Sequence, residues 1–191
     1  MISVHKSLFL QAILLNVVLL GCAGRAPSQQ ENWDFWVSGK LAVTSAGEGH
    51  SARFNWRQLA DHYEIEVWGP LGQGRTQLSG DAQQMTVKRG TRLLDSGHPD
   101  DVMLRHLGWT FPVDALPAWL RGNPHADLAL SAVDEDDDGL VHGFRQAGWL
   151  VGFERFKQFD QGVRPRRITA TRDDYRVRVV VGEYREHAAD S

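Results

Sequence analysis

The acidic run at residues 134–139 is the first stretch whose residue types and spacing could bind a metal. It reads Asp-Glu-Asp-Asp-Asp-Gly, with oxygen ligands at the first, third and fifth positions of a calcium loop and glycine at the sixth. The twelfth position, which should supply a bidentate carboxylate, is Arg145, and Leu140 to Gln146 alternates like a strand where a helix should begin. The run is therefore interpreted as a solvated hairpin loop, and the sequence predicts no metal and no cofactor.

Phosphate-binding and catalytic patterns are also incomplete. Gly69, Gly72 and Gly74 lack the spacing of a phosphate-binding loop, and the chain continues as a strand at Thr76 to Leu78. The histidines after residue 22 are dispersed without a zinc-ligand spacing, and no GxSxG serine motif occurs. The sequence therefore predicts no enzyme, although a triad assembled from distant strands is left open.

The composition excludes one further class of function. The chain has 191 residues, of which 42% are hydrophobic and 24% charged, and its formal net charge is −3. These values fit one globular domain with a sizeable core. Since the chain lacks the basic footprint of a nucleic-acid-binding protein, we expect no nucleic-acid partner.

Cys22 is the only cysteine of the chain and follows a secretory signal pattern. An apolar run at residues 8–20, after a weakly basic start, is too short to span a bilayer comfortably. Leu19 lies three positions before Cys22 and the small residue Gly21 directly before it, which resembles the bacterial lipobox. We predict that Cys22 becomes the lipidated N-terminus. Ala23 stands where an aspartate would favour inner-membrane retention, so we expect the outer membrane.

This pattern predicts the organisation of the whole chain. Residues 1–21 are the signal peptide, and residues 22–32 are the lipidated N-terminus and a polar, flexible tether. A barrel domain spans residues 33–185 and faces the periplasm. Residues 186–191 are expected to be a frayed tail.

Most of the barrel domain alternates with a period of two, which is typical of antiparallel strands. Two short helical patterns interrupt the strands without any βα alternation, which argues against a parallel sheet. We predict a mainly β fold: an open, half-closed antiparallel barrel or strongly curved sheet with a short-helix lid. The predicted strands are Trp36–Val43, Ala52–Trp56, Tyr63–Val67, Thr76–Leu78, Met85–Lys88, Arg92–Leu94, Leu140–Gln146, Trp149–Phe156, Arg167–Thr171 and Tyr175–Tyr184.

The two helical patterns have similar signals at their ends. Pro99 to Gly108 begins with proline and acids, carries Met103, Leu104 and Leu107 on one side, and ends at glycine. Asp114 to Gly122 is predicted to begin at Asp114 as N-cap and to end at Gly122. Helices this short are marginal alone, so both should lie on the sheet.

Seven tryptophans are many for a domain of this size. Filling the core explains most of them at least as well as contact with a ligand. A curved sheet with helices over its mouth can also leave a cavity for an apolar ligand. The candidates for lining that cavity are Trp36, Phe54, Trp56, Ile65, Leu104, Leu107, Trp109, Leu116, Trp119, Leu120 and Trp149.

The turn after the strand Tyr63–Val67 contains an apolar residue where a loop normally meets water. Pro70 and the flanking glycines predict a tight turn, which places Leu71, and Trp68 three residues before it, at the surface. Leu71 could fold back and plug the sheet, or it could project outward toward an apolar partner. Both alternatives fit the pattern of the turn.

Several ordered segments of the chain resemble the LolB family of outer-membrane lipoprotein receptors. Single segments are weakly specific, but together they cover almost the entire mature chain in order. They are the lipobox Cys22, Trp36-Val-Ser-Gly-Lys-Leu-Ala-Val43, Phe54-Asn-Trp56, Asp61 to Val67 with Gly69-Pro-Leu-Gly72, Leu107-Gly-Trp109 with Pro112-Val113, Trp119-Leu-Arg-Gly122 and Gln146-Ala-Gly-Trp149.

The resemblance implies a function and a role for the turn. A LolB-like protein would accept triacylated lipoprotein cargo from a LolA-like periplasmic carrier and place it, without an energy source, in the inner leaflet of the outer membrane. The exposed leucine that the family needs for membrane insertion maps to Leu71, and Pro70 and Trp68 flank it. We expect a monomer. The alternatives are a structural or assembly lipoprotein with a filled barrel and, with less support, a lipid-modifying enzyme.

Overall fold

The computed structural model describes residues 33–45, 47–160 and 162–186. Cys22, the predicted signal segment and the predicted tether lie outside the described residues. In the described part, no helix is both long and apolar enough to cross a membrane. The elements are β1 (Phe35–Ser45), β2 (Glu48–Leu59), β3 (His62–Trp68), β4 (Thr76–Gly80), β5 (Met85–Arg89), β6 (Arg92–Gly97), α1 (Pro99–Leu107), α2 (Leu116–Arg121), β7 (Leu130–Glu135), β8 (Val141–Gln146), β9 (Trp149–Phe159), β10 (Gly162–Arg172) and β11 (Tyr175–Glu186).

The strands form one antiparallel sheet in the order β6-β5-β4-β3-β2-β1-β11-β10-β9-β8-β7. The sheet therefore consists of two meanders, which join where β1 pairs with β11. Strands β6 and β7 are its two edges, so the sheet does not close on itself. Both helices lie in the connection between those edges, and the prediction of an open antiparallel barrel with helices is confirmed.

Alternation along the strands separates a core face from an outer face. On β1, Phe35 and Val37 are completely buried, while Trp36 between them is only half-buried. On β2, Phe54 and Trp56 are buried and Arg57 is exposed. Because successive strand side chains point to opposite faces, the core collects every second residue of the central strands.

Both helices end as predicted, and α1 also begins at Pro99 as predicted, but α2 begins one residue late. Gly108 and Gly122 both adopt the left-handed conformation, with φ angles of 78° and 86°, that commonly ends a helix. The N-cap of α2 is Ala115, not Asp114, and no side chain caps it. The Asp114 carboxylate instead accepts the Ala115 N–H at 3.0 Å, because the helix begins one residue later than predicted.

One strand was not predicted, and several strands are longer than predicted, such as β2, which is Glu48–Leu59 instead of Ala52–Trp56. Strand β7 was not predicted, because all six of its residues are exposed and its register shifts, so it lacks the alternation of burial. Strand β10 begins at Gly162, five residues earlier than predicted, because Pro165 interrupts the strand pattern without ending the pairing with β9. Glu186, assigned to the frayed tail, is the last residue of β11 and pairs with Phe35.

Candidate functional site

The loop between β3 and β4 presents one fully exposed leucine. Leu71 is 93% exposed, so its side chain does not fold back onto the sheet. The Gly72 N–H donates to the Gly69 carbonyl at 2.9 Å, and the Gly69 N–H donates to the Gln73 carbonyl at 2.8 Å. Gly72 has a φ of 85°, which glycine adopts without strain. The loop is thus a hydrogen-bonded turn with Leu71 at its surface, and Pro70 beside it is also exposed.

The base of this loop is held by charge and an aromatic ring on the outer face. The guanidinium of Arg75 lies 4.5 Å from the centroid of the Trp68 ring. The same guanidinium donates to the Glu66 carboxylate at 2.6 Å. Trp68 is half-buried under this contact, whereas Leu71 is free of any packing. Of the three predicted loop residues, Leu71 and Pro70 are therefore exposed and Trp68 belongs to the base.

Three of the predicted cavity residues lie together on the core face of the first meander. Trp56 pairs with Ile65 across β2 and β3, and Phe54 pairs with Val67 two positions along, on the same face. Phe54 is 4% exposed and Trp56 is 3% exposed, while Ile65 is half-buried. The Trp56 indole donates to Gln58 Oε1 at 2.9 Å, which satisfies its buried N–H.

A second group forms an aromatic cluster between the helical segment and the second meander. Trp149 lies 5.9 Å from Trp109, and Phe111 lies 4.8 Å from Trp149 and 5.7 Å from Trp119, all between ring centroids. Phe144 extends the cluster at 6.2 Å from Trp119. Trp119 and Trp149 are completely buried. The structure thus brings Trp109, Trp119 and Trp149 together.

The remaining predicted cavity residues are more scattered. Leu120 is 2% exposed and Leu116 is half-buried on α2. On α1 the inward residues are Val102 and Met103, so Leu104 and Leu107 point outward and are 51% and 54% exposed. Met103 therefore does not share a buried side with those two leucines, as the sequence pattern had suggested.

Trp36 lies on the outer face of the sheet. Its cross-strand neighbours are Arg57 and Arg185, and the Arg185 guanidinium lies 4.9 Å from its ring centroid. Phe35 and Val37, on either side, are the residues of β1 that reach the core. The predicted strand began at Trp36, so it left out Phe35 and assigned Trp36 to the interior. Phe35 and Val37 are two residues apart, and this spacing is the signal that would have identified them as the inward residues. Phe111 and Phe144 were missed because they stand outside clear apolar runs.

Gln146 ties α2 and the segment after it to the sheet. It is 1% exposed, and its Oε1 accepts the Trp119 indole N–H at 3.0 Å and the His125 N–H at 2.8 Å. Its Nε2 donates to the carbonyls of His125 and Leu128. All four bonding positions of the amide are therefore used, as a buried amide requires.

Glu186 fixes the C-terminal end of α2. Its Oε1 accepts hydrogen bonds from Arg121 and Tyr184, both at 2.8 Å, and its Oε2 accepts from Arg164 at 3.3 Å. Burial raises the pKa of the Glu186 carboxyl, but the hydrogen bonds from Arg121 and Tyr184 outweigh it and leave the pKa below its ordinary value. The carboxylate is therefore charged at neutral pH and joins α2 to β10 and β11.

A cleft of about 400 Å³ opens beside the aromatic cluster. It is bordered by the start of α1, the segment 110–114 and the turn after β4. Asp81, Asp100 and Asp114 give its rim acidic character, while Phe111 belongs both to the cleft and to the aromatic cluster. Near this rim, burial raises the pKa of the Tyr63 phenol well above its usual range, and the charges of Asp81 and Asp114 add to the rise.

The acidic run is a hairpin turn, as predicted. The Asp136 carboxylate accepts the N–H groups of Asp138 and Leu140 at 3.1 and 2.9 Å, and it contacts His142 Nε2 at 3.0 Å. The hydrogen bond from His142 is the main cause that lowers the pKa of Asp136. Within residues 33–45, 47–160 and 162–186, no group of three or more metal-ligating side chains is found.

Comparison with known proteins agrees with this architecture. Residues 33–184 match the family model described as outer membrane lipoprotein LolB. The chain belongs to the LolB family. An outer-membrane lipoprotein LolB from Chromohalobacter salexigens is 30% identical over 188 residues, covering 90% of this chain and 87% of that protein. The LolB of Xanthomonas campestris is 31% identical, covering 80% of this chain and 71% of that protein.

The solved structures extend the comparison to the fold. A LolA superfamily protein from Nitrosomonas europaea superposes with a TM-score of 0.51 at 8% identity, covering 83% of this chain and 88% of that one. At this identity the likeness concerns the fold alone. The match to LolB relatives identifies the chain as an outer-membrane lipoprotein. Its domain shares its fold with a LolA superfamily protein.

Proposed function

We propose that this LolB-family protein receives triacylated lipoproteins from a LolA-like periplasmic carrier and inserts them into the inner leaflet of the outer membrane. The role is non-catalytic, and the protein acts as a monomer anchored through a lipid on Cys22. Family membership supports the receptor role. The single observation that carries the insertion step is Leu71, a 93% exposed leucine on a turn that is otherwise closed by hydrogen bonds.

The chemistry of the cargo explains why a receptor is needed. Each methylene moved out of water is worth about 0.8 kcal/mol, so three long acyl chains represent tens of kcal/mol. Such chains cannot be released into water at any useful rate. The cargo must therefore pass directly from the carrier to the receptor and from the receptor to the bilayer. The direction follows from free energies that descend along this series.

Leu71 has a local role in this scheme. Burying one leucine side chain in lipid gains only about 2 kcal/mol, which is too little to anchor the domain or to drive transfer. Contact of Leu71 with the bilayer would instead bring the domain to the lipid surface and disturb lipid packing where the cargo enters. The lipid on Cys22 would supply the permanent attachment.

Cargo binding requires rearrangement of the interior. Phe54, Trp56, Trp119, Leu120 and Trp149 are at most 4% exposed, so acyl chains can reach them only if side chains or helices move apart. The cleft at Phe111 is the candidate entrance, because it borders the aromatic cluster. A fluorescent fatty-acyl probe tests this point. Saturable binding supports a cargo receptor, whereas no binding supports the alternative of a structural lipoprotein with a permanently filled barrel.

Replacement of Leu71 by glutamate tests the insertion step. We expect Leu71→Glu to fold normally and to take cargo from a loaded carrier, but to lose most of its transfer of cargo into liposomes, because a carboxylate cannot enter the acyl region. Leu150→Glu is the matched control, since Leu150 is 46% exposed on the outer face of β9. Normal delivery by Leu71→Glu, or an equal defect in both variants, would refute the membrane role of Leu71.

A further inference from the structure

We propose that Gln73 is a positioning residue that holds Leu71 in its projecting conformation. This inference rests on the proposed function, in which Leu71 contacts the bilayer, and adds a second residue to that step. Its basis is a set of hydrogen bonds and close contacts inside the loop between β3 and β4.

The side chain of Gln73 spans the turn. Its Oε1 accepts the Leu71 N–H at 3.0 Å, while its own backbone carbonyl accepts the Gly69 N–H at 2.8 Å. One residue therefore closes the loop twice, once through its main chain and once through its side chain. The side-chain bond acts on the peptide unit that carries Leu71, so it restrains the direction in which the leucine points.

Gly69 leaves the space that this arrangement needs. A Cβ atom added at Gly69 would lie 2.6 Å from Gln73 Nε2 and 2.8 Å from Gln73 Cδ. The amide of Gln73 thus packs directly over the Gly69 backbone. Any side chain at position 69 would displace that amide and weaken its bond to Leu71, without altering Gln73 itself.

The alternative for a leucine on an unrestrained loop is to fold onto the domain and hide its apolar surface from water. A preorganised loop avoids the cost of ordering Leu71 at the moment of membrane contact. A single exposed hydrogen bond of this kind favours one loop conformation by roughly 2- to 10-fold. We therefore expect loss of the Gln73 side chain to slow cargo delivery by a similar factor.

Three variants of the full lipoprotein test the proposal, with cargo transferred from a loaded carrier to phosphatidylcholine vesicles. Gln73→Ala and Gly69→Ala should each slow delivery roughly 2- to 10-fold, while thermal unfolding and cargo acceptance stay unchanged because the loop is outside the core. Gln73→Glu keeps the acceptor oxygen, so it should restore delivery on these uncharged vesicles. The Leu71 amide should exchange with deuterium faster in Gln73→Ala than in the unaltered protein.

Combining substitutions separates positioning from other roles. If Gln73 acts through Leu71, then Gln73→Ala should cause no further loss in a Leu71→Ala background. An equal loss in both backgrounds would overturn the proposal, and so would unchanged delivery by Gln73→Ala and Gly69→Ala while Leu71→Ala is defective. In that last case the membrane role of Leu71 stands. Normal delivery by Leu71→Ala would overturn both the membrane role and the positioning role.

Discussion

Helices α1 and α2 have similar sequences at their ends, yet different kinds of contact hold them to the rest of the domain. Each has proline in its first turn and a left-handed glycine at its end. In α2, Trp119 and Leu120 are at most 2% exposed. The buried amide of Gln146 and the half-buried carboxylate of Glu186 bind the helix from two sides. α2 is therefore part of the core.

Helix α1 is attached through three buried apolar residues and through charged groups at the surface. Arg105 donates two hydrogen bonds to the Asp95 carboxylate of β6, both at 3.0 Å, and His106 Nε2 lies 2.8 Å from the same carboxylate. Only Pro99, Val102 and Met103 of this helix are buried. Surface ion pairs contribute little to stability, and Leu104 and Leu107 of α1 are already half in water. We therefore expect α1 to move more easily than α2, whose Trp119 is completely buried and bonded to Gln146.

The difference indicates where the interior can open. A domain that takes up acyl chains must separate some of its packed elements, and separation begins where the fewest apolar contacts are lost. Because α2 also carries the buried hydrogen bond from Trp119 to Gln146, we expect α1 to separate before α2. The residues around the start of α1 also border the cleft at Phe111. We therefore expect cargo to enter on the α1 side, with α2 fixed to the sheet.

A matched pair of leucine substitutions, one in each helix, should give the largest difference in stability between α1 and α2. Leu120→Ala on α2 should lower the free energy of unfolding by about 2–5 kcal/mol, because it leaves a cavity in the core. Leu104→Ala on α1 should change it by less than about 0.5 kcal/mol, because that side chain is already half in water. Urea unfolding measures both values, and equal losses would contradict the contrast between the helices.

Removing the hydrogen bonds that Gln146 makes to α2 and the segment after it should give the next largest loss of stability. Gln146→Ala removes the partner of the Trp119 indole and of the His125 N–H, and each buried group left unpaired costs about 1–3 kcal/mol. Gln84→Ala is the control, since Gln84 is an exposed glutamine that bonds Ser96. If the two variants unfold at the same urea concentration, Gln146 does not hold α2.

Removing the ion pair between α1 and Asp95 of β6 should give the smallest loss of stability, and that loss should depend on pH. The hydrogen bond from Arg105 is the main cause that lowers the pKa of the Asp95 carboxyl well below its usual range. A carboxyl whose pKa is lower in the folded state stabilises the protein above its unfolded pKa, and this stabilisation is lost as the pH falls through the folded pKa.

Asp95→Asn should therefore be slightly less stable than the unaltered protein at pH 7, with a smaller deficit than Gln146→Ala. The deficit should shrink as the pH drops below about 4, where carboxyl groups ordinarily take up protons. Added salt should also reduce it, because the Arg105 side chain is half in water and Asp95 is only partly buried. Urea unfolding across this pH range checks the trend, and a deficit that is unchanged at low pH would exclude the ionic attachment.

Much of the fold could be predicted because local patterns and tertiary contacts agree. The alternation of β2 and β3 marks the residues that the structure buries, and the prolines and glycines of α1 and α2 mark their ends. β7 was missed because its residues are all exposed, so burial leaves no pattern in the sequence. Its existence depends on pairing with β8, which is a long-range contact.

The candidate site, too, could be predicted only in part from the sequence. Leu71 could be singled out because a leucine between Pro70 and Gly72 has no local reason to be there. Its outward direction, however, depends on the hydrogen bonds of Gln73 across the turn. Trp36 shows the opposite case, since its apolar character suggested the interior while the parity of β1 places it beside Arg185 on the outer face.

The sequence by itself determined the class of fold, the family and the position of the apolar turn, because strand period, helix ends and turn residues are local properties of the chain. Only the tertiary structure decided which aromatic rings meet, which helix is fixed and which leucines reach water. Those outcomes depend on the pairing of β1 with β11 and on side chains such as Gln146 and Glu186, whose partners are far away in the chain. No local pattern encodes such contacts.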